Sequence, residues 1–206
     1  SRFVMWNDIR NRSTELAENK VVASLISGKM EWMGEEIVSS EKLDELFAPS
    51  DMAIPTSVDS SQLAAIITAA KGQSFVLHGP PGTGKSQTIT NMIANTLYQG
   101  KSVLFVAEKM AALSVVQKRL SEVGLAPFCL ELHSNKSQKK NVLLQLELTL
   151  DVGHTKRPEE YTDTASKLHE LRKSLNEVVI ELHKKQMCGF SIYELVGLYE
   201  ENVEYD

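Results

Sequence analysis

Residues 75–86 read Phe75-Val76-Leu77-His78-Gly79-Pro80-Pro81-Gly82-Thr83-Gly84-Lys85-Ser86. Two glycines bracket four residues and are followed at once by Lys-Ser, the pattern of a phosphate-binding loop. Each residue type answers a physical need. Gly79, Gly82 and Gly84 let the backbone turn sharply, so that consecutive amide hydrogens point inward at phosphate oxygens. The helix expected from Lys85 onward adds the positive end of its dipole to the same anion. The Lys85 ammonium suits the β- and γ-phosphates of a nucleotide, and the Ser86 hydroxyl is a ligand for Mg²⁺. Thr83 contributes mainly backbone, and Gln87 follows in the first helical turn. Expected ligands are therefore the triphosphate of a nucleotide and Mg²⁺, with Lys85 and Ser86 as the catalytic pair and Ser86 as the metal ligand.

Outward from the loop, helix and strand patterns alternate. Ser61–Ala70 reads as a helix, Ser74–His78 as a short buried strand, and Ser86–Gln99 as a helix closed by Gly100. Ser102–Val106 reads as a second strand, Met110–Val123 as a helix closed by Gly124, and Pro127–Leu132 as a third strand before a helix over about 137–150. Continuous apolar strands between helices predict an α/β fold, a parallel sheet covered on both faces.

The flanks have a different character. Before residue 50, Trp6, Ile9, Leu16, Val21, Val22, Leu25 and Ile26 are spaced as a helical face with a break near Asn19, and Glu41–Phe47 gives one more short helix. Beyond Gly153, Leu168, Leu171, Leu175, Val178 or Val179, and Leu182 make a coiled-coil-like stripe on a helix of roughly 25 residues, expected to pack within the chain. Ser191-Ile-Tyr-Glu194 is a capping box opening a last helix. The expected division is a helical segment over 1–52, a nucleotide-binding core over 53–152 and a helical arm over 153–206. The chain starts with Ser-Arg and stops in Glu-Asn-Val-Glu-Tyr-Asp, as expected of a piece of something longer.

Composition narrows the function classes. Apolar residues make up 42% and charged residues 24% of 206 residues, which fits a globular protein with a sizeable core. No stretch reaches the length of a membrane span and the N-terminus lacks a signal-peptide core, so a cytoplasmic location and no membrane partner are expected. Cys129 and Cys188 are too few for a disulfide framework or a metal site. His78, His133, His154, His169 and His183 are scattered without metal-ligand spacing. The net charge of −5 argues against a protein wrapped in nucleic acid, although residues 101–140 hold seven basic side chains against three acidic ones. That run, with Lys118, Arg119, Lys136, Lys139 and Lys140, could meet phosphate backbones or be a solvated face.

Val58-Asp-Ser-Ser-Gln62-Leu-Ala-Ala-Ile66 resembles the Q-motif of superfamily 1 helicases of the 1B type, which implies that Gln62 reads the adenine edge. A glutamine amide donates and accepts at once, as adenine N6 and N7 require. Val103-Leu-Phe-Val-Ala-Glu-Lys-Met-Ala-Ala-Leu113 resembles motif Ia of that superfamily, closest to large bacterial helicase-like proteins, and Leu130-Glu-Leu-His-Ser-Asn-Lys136 resembles a further segment of the same proteins. The resemblance implies that Lys109, Ser134 and Asn135 lie near a single-stranded DNA or RNA backbone. Most members have Thr or Pro where Glu108-Lys109 stands. It also implies a first motor domain whose nucleotide sits against a second motor domain and flanking domains of the parent chain.

Hydrolysis requires a second acid that holds Mg²⁺ through water. Asp151 and Glu108 are the candidates, and neither has the expected context. The expected function is the ATP-binding portion of an ATP-dependent helicase or translocase, inactive alone because the second acid and the later motifs lie elsewhere. The alternatives are a nucleotide-sensing interaction module without hydrolysis, and another ATPase or kinase built on the same loop.

Overall fold

A computed structural model describes residues 2–29, 38–39, 43–80, 82–132, 139–153 and 159–202, apart from the side chains of Arg2, Glu45, Lys140 and Asn141. The helices are α1 (Arg2–Asn11), α2 (Ser13–Ala17), α3 (Lys20–Ser27), α4 (Leu43–Leu46), α5 (Ser60–Ala70), α6 (Lys85–Tyr98), α7 (Met110–Glu122), α8 (Lys139–Leu150), α9 (Glu159–His183) and α10 (Ile192–Asn202). Short 3-10 turns stand at Pro49–Asp51 and Ala126–Phe128.

The helix ends follow the local chemistry. Asn19 caps α3 by accepting from the amides of Val21 and Val22, which accounts for the break between α2 and α3. Gly100 and Gly124 stand just beyond α6 and α7 at φ of 71° and 78°, a left-handed turn that side chains resist. At α5, the Asp59 carboxylate accepts from Gln62 N at 2.8 Å and from Ser61 Oγ at 2.6 Å. The Gln62 side chain in turn accepts from Asp59 N at 3.4 Å, completing a capping box.

Two apolar clusters form the core. Val38, Leu43, Ala64 and Ile67 pack with Phe47, Met52 and Leu63 around α4 and α5. Ile93, Val116 and Leu120 pack with Ile89, Leu97, Phe105, Leu125 and Cys129 between α6 and α7. Helix α6 is central, packing against α5 on one side and α7 on the other.

The parallel sheet expected from the apolar runs is not formed. No strand is present among the described residues, and Ser74–His78 and Ser102–Val106 carry no regular structure. A buried strand needs cover on both faces. Phe105 packs on the α6–α7 cluster, but Val76 is 90% exposed, Leu104 88% and Val106 77%, so only one face is covered. The third expected strand, Pro127–Leu132, is recruited differently. Its first residues turn in the 3-10 helix, Glu131 N donates to Gln145 Oε1 of α8 at 3.3 Å, and Thr149 of α8 donates its hydroxyl to Pro127 O. Side chains of a helix satisfy backbone groups that a neighbouring strand would otherwise bond.

At the C-terminal end the apolar stripe is not packed within the chain as expected, since Leu168, Leu171, Leu175, Val178 and Val179 are all exposed. Helix α9 runs 25 residues and docks beside the 3-10 turn at 49–51, with Tyr161 Oη donating to Met52 O at 2.8 Å. Further along, Asp44 accepts from Asn176 Nδ2 at 3.1 Å and faces Arg172 Nη1 at 3.5 Å. Helix α10 folds back on α9. Ser191 N donates to Glu194 Oε2 at 2.7 Å and Glu194 N donates to Ser191 Oγ at 3.1 Å, which is the expected capping box.

Three outcomes follow for stability. Ile67 is 1% exposed, so Ile67→Ala should cost about 2–5 kcal/mol in urea unfolding. Leu104→Ala should stay within about 0.5 kcal/mol of the parent, whereas a sheet-core Leu104 would cost as much as Ile67. For Asp59, the Ser61 hydroxyl bond and then the Gln62 amide bond hold the carboxyl below the ordinary aspartate range. A lowered folded value means that the cap contributes above the unfolded value and is lost as pH falls through the folded one. The melting temperature of Asp59→Ala should therefore lie below the parent's at neutral pH, and the gap should close in acid.

Candidate functional site

The glycine loop joins the extended residues after α5 to the first turn of α6. Gly82 and Gly84 have φ of 89° and 74°, a region that only glycine adopts without strain. Gly84 is also the N-cap of α6, with no side chain bonded to the helix end, which leaves the first-turn amides to face outward. At two of the three glycines a side chain would also crowd a neighbouring side chain. A Cβ on Gly79 would meet Thr83 Oγ1 at 2.7 Å, and one on Gly84 would meet Gln62 Nε2 at 2.7 Å. Thr83 closes the loop on itself, its hydroxyl donating to Pro80 O at 2.8 Å, and Lys85 Nζ donates back across the loop to Gly79 O. Pro81 lies outside the described residues.

Gln62 approaches the loop from α5, where its side-chain amide donates to Thr83 O at 3.2 Å. Gln87 leaves the loop in the other direction, and its Nε2 donates to the carbonyl of Ser57 and to Ser57 Oγ, the latter at 3.1 Å. Gln62, Gly79, Gly82, Thr83, Gly84, Lys85, Ser86 and Gln87 therefore form one small neighbourhood, assembled from α5, the loop and α6. Ser86 sits in the first turn of α6, and its carbonyl accepts from Thr90 Oγ1 at 2.8 Å.

Lys109, expected near nucleic acid, is not drawn into this neighbourhood. Lys109 is the exposed N-cap residue of α7, with no side-chain cap bond. Ser134, Asn135, Lys136 and His133 lie outside the described residues, as does His154. Asp151 is exposed just past the end of α8, and Glu108 is exposed beside Lys109. No group of three or more His, Cys, Asp and Glu side chains that could hold a metal ion occurs among the described residues. Nor does any helix there have the length and apolarity to cross a membrane. Cys129 and Cys188 are free thiols, and burial raises the Cys129 pKa. An apolar cavity of about 960 Å³ lies between the 43–55 region, α6 and α9, and no residue of the glycine loop lines it.

Sequence reasoning missed the residues that hold the strap of chain over 52–58 against α6. Asn91 Oδ1 accepts from Thr56 N at 3.1 Å and from Thr56 Oγ1 at 3.0 Å, and its Nδ2 donates to Thr56 O at 3.1 Å. One turn on, Asn95 Oδ1 accepts from Ala53 N at 3.1 Å. The available signal was three amide side chains, Gln87, Asn91 and Asn95, recurring every four residues on one helix face.

The family model described as "AAA domain" matches residues 57–190. An uncharacterized ATP-dependent helicase, MG140, from Mycoplasma genitalium is 39% identical over 84 residues, 41% of this chain and 8% of that protein. Its homolog in Mycoplasma pneumoniae is 48% identical over 63 residues, 31% of this chain and 6% of that protein. The DNA-binding protein SMUBP-2 of Rattus norvegicus is 37% identical over 67 residues, 32% of this chain and 7% of that protein. The chain thus spans less than a tenth of the length of these relatives. No solved structure matches it. With the family's domain covering 57–190, glycine loop included, the chain belongs to this AAA-domain family of superfamily 1 helicases and is a helicase-like segment.

Proposed function

We propose that this chain supplies the ATP-binding wall of a motor that moves on single-stranded nucleic acid. The observation that carries the reading is convergence on one loop. The backbone turns of Gly79, Gly82 and Gly84, the Lys85 ammonium and the Gln62 amide all meet there, and a Cβ on Gly79 or Gly84 would crowd Thr83 Oγ1 or Gln62 Nε2. A phosphate chain fits such a cradle because outward amides and a helix N-terminus offer donors without a side chain in the way.

In this reading Lys85 leaves the Gly79 carbonyl to pair with the terminal phosphates, and Ser86 holds Mg²⁺. Mg²⁺–ATP, when bound, supplies the phosphoanhydride whose cleavage drives movement. The loop amides and Lys85 hold negative charge in place and stabilise its redistribution. Gln62 takes the adenine edge. Exposed, without a cap bond and in a locally basic run, Lys109 is the phosphate contact for the nucleic acid, and by family resemblance Ser134 and Asn135 lie near the same backbone. Support for an ATP-dependent helicase comes from the relatives that carry that name and from one named as DNA-binding. Neither Asp151 nor Glu108 is placed in the loop neighbourhood, so the hydrolytic acid is assigned to another part of the parent protein.

Two measurements test this. A fluorescent ATP analogue with Mg²⁺ should bind saturably and show no phosphate release, and Lys85→Ala should weaken binding at least about tenfold, the loss of a charge-assisted contact. Turnover dependent on Lys85 would place the second acid within this chain. For the nucleic acid, Lys109→Ala should weaken binding of a single-stranded oligonucleotide evenly across sequences and lower the salt slope by about 0.7, the signature of one lost phosphate contact. An unchanged slope would remove Lys109 from the interface.

A further inference from the structure

Three amides stand at four-residue intervals on the face of α6 that meets the strap. Gln87 bonds Ser57, Asn91 bonds Thr56 and Asn95 bonds Ala53. Asn91 is fully buried and engages the amide, the carbonyl and the hydroxyl of a single residue. Apolar contacts let a strap slide along a helix, whereas directional bonds to both polar groups of one residue fix its register.

The strap leads directly to Gln62. Three residues after Thr56 comes Asp59, the N-cap of α5, whose carboxylate takes Gln62 N and whose amide is taken by the Gln62 side chain. Helix α6 therefore holds both ends of the proposed nucleotide. Its first turn carries Lys85 and Ser86, and its second and third turns hold the strap that sets the position of Gln62.

We propose that Asn91 is a positioning residue for nucleobase selection, acting through Thr56 and the Asp59 cap on Gln62 without touching the nucleotide. The proposal rests on the reading that Gln62 recognises adenine. It predicts a split between the two ends of the ligand, because Asn91 sets the distance of Gln62 from the loop and not the loop itself.

The test is competition binding of ATP, GTP and inorganic tripolyphosphate, each with Mg²⁺, to the whole chain and to Gln62→Ala, Asn91→Ala, Thr56→Val and the Gln62→Ala/Asn91→Ala double variant. Gln62→Ala should collapse the preference for ATP over GTP. Asn91→Ala should reduce the same preference by about tenfold, and Thr56→Val, which loses one of the three bonds and keeps the backbone pair, by about threefold. Tripolyphosphate affinity should stay within about twofold of the parent in Asn91→Ala and Thr56→Val. In the Gln62→Ala background, Asn91→Ala should change the preference no further, since both act through one contact.

Thr56→Val carries the test if Asn91→Ala does not fold. A parental preference in Thr56→Val and Asn91→Ala beside a collapsed one in Gln62→Ala overturns the positioning role and leaves the adenine reading standing. A parallel loss of ATP and tripolyphosphate in Asn91→Ala and Thr56→Val also overturns it, because the amide would then support only the loop. A parental preference in Gln62→Ala removes the adenine reading, and the proposal with it.

Discussion

The buried amide of Asn91 is the constraint on which the strap beside the glycine loop depends. A polar side chain with no access to water must find partners or destabilise the fold by its full desolvation cost. Asn91 finds all of them on Thr56, and Thr56 in turn loses no backbone bond by leaving regular structure. The half-buried extended strap is tolerable because α6 side chains replace the ladder a strand would have provided. Thr88 and Thr90, equally buried on α6, spend their hydroxyls on carbonyls four residues back, so the polar interior of this helix is largely self-satisfied. One group departs from this. Asn95 Nδ2 is buried without a hydrogen-bond partner among the described residues.

Much of the helical framework was legible in the sequence because helix ends are local events. Asp59, Asn19, Gly100, Gly124 and the Ser191–Glu194 pair each act within four residues of themselves, and each stands where its chemistry predicts. The sheet was not legible for the opposite reason. Phe75-Val-Leu and Val103-Leu-Phe-Val have the composition of strands buried on both faces, but composition does not say what lies on the second face. Here α6 and α7 cover Phe105, and the flanking Leu104 and Val106 remain open to solvent. Pro127–Leu132 was claimed by Gln145 and Thr149 of a helix 14 to 22 residues further on, a competition that no local pattern records.

The candidate site divides along the same line. Its glycines, Lys85 and Ser86 were legible because spacing alone encodes a cradle for phosphate. Gln62 was reached by resemblance, and the structure adds its bond to Thr83 O and its closeness to Gly84. The strap was invisible because its bonds join residues 30 to 42 positions apart.

One peptide unit of that strap is shared by two helices. The carbonyl of Met52 accepts from Tyr161 of α9, and the amide of Ala53, across the same planar bond, donates to Asn95 of α6. Because the peptide group is rigid, neither bond can reorient without disturbing the other. The amide proton of Ala53 exchanges with solvent once α6 releases the strap, a step that the Tyr161 bond on the same peptide unit opposes, and its exchange rate becomes a single-atom record of how often the strap parts from the glycine-loop helix.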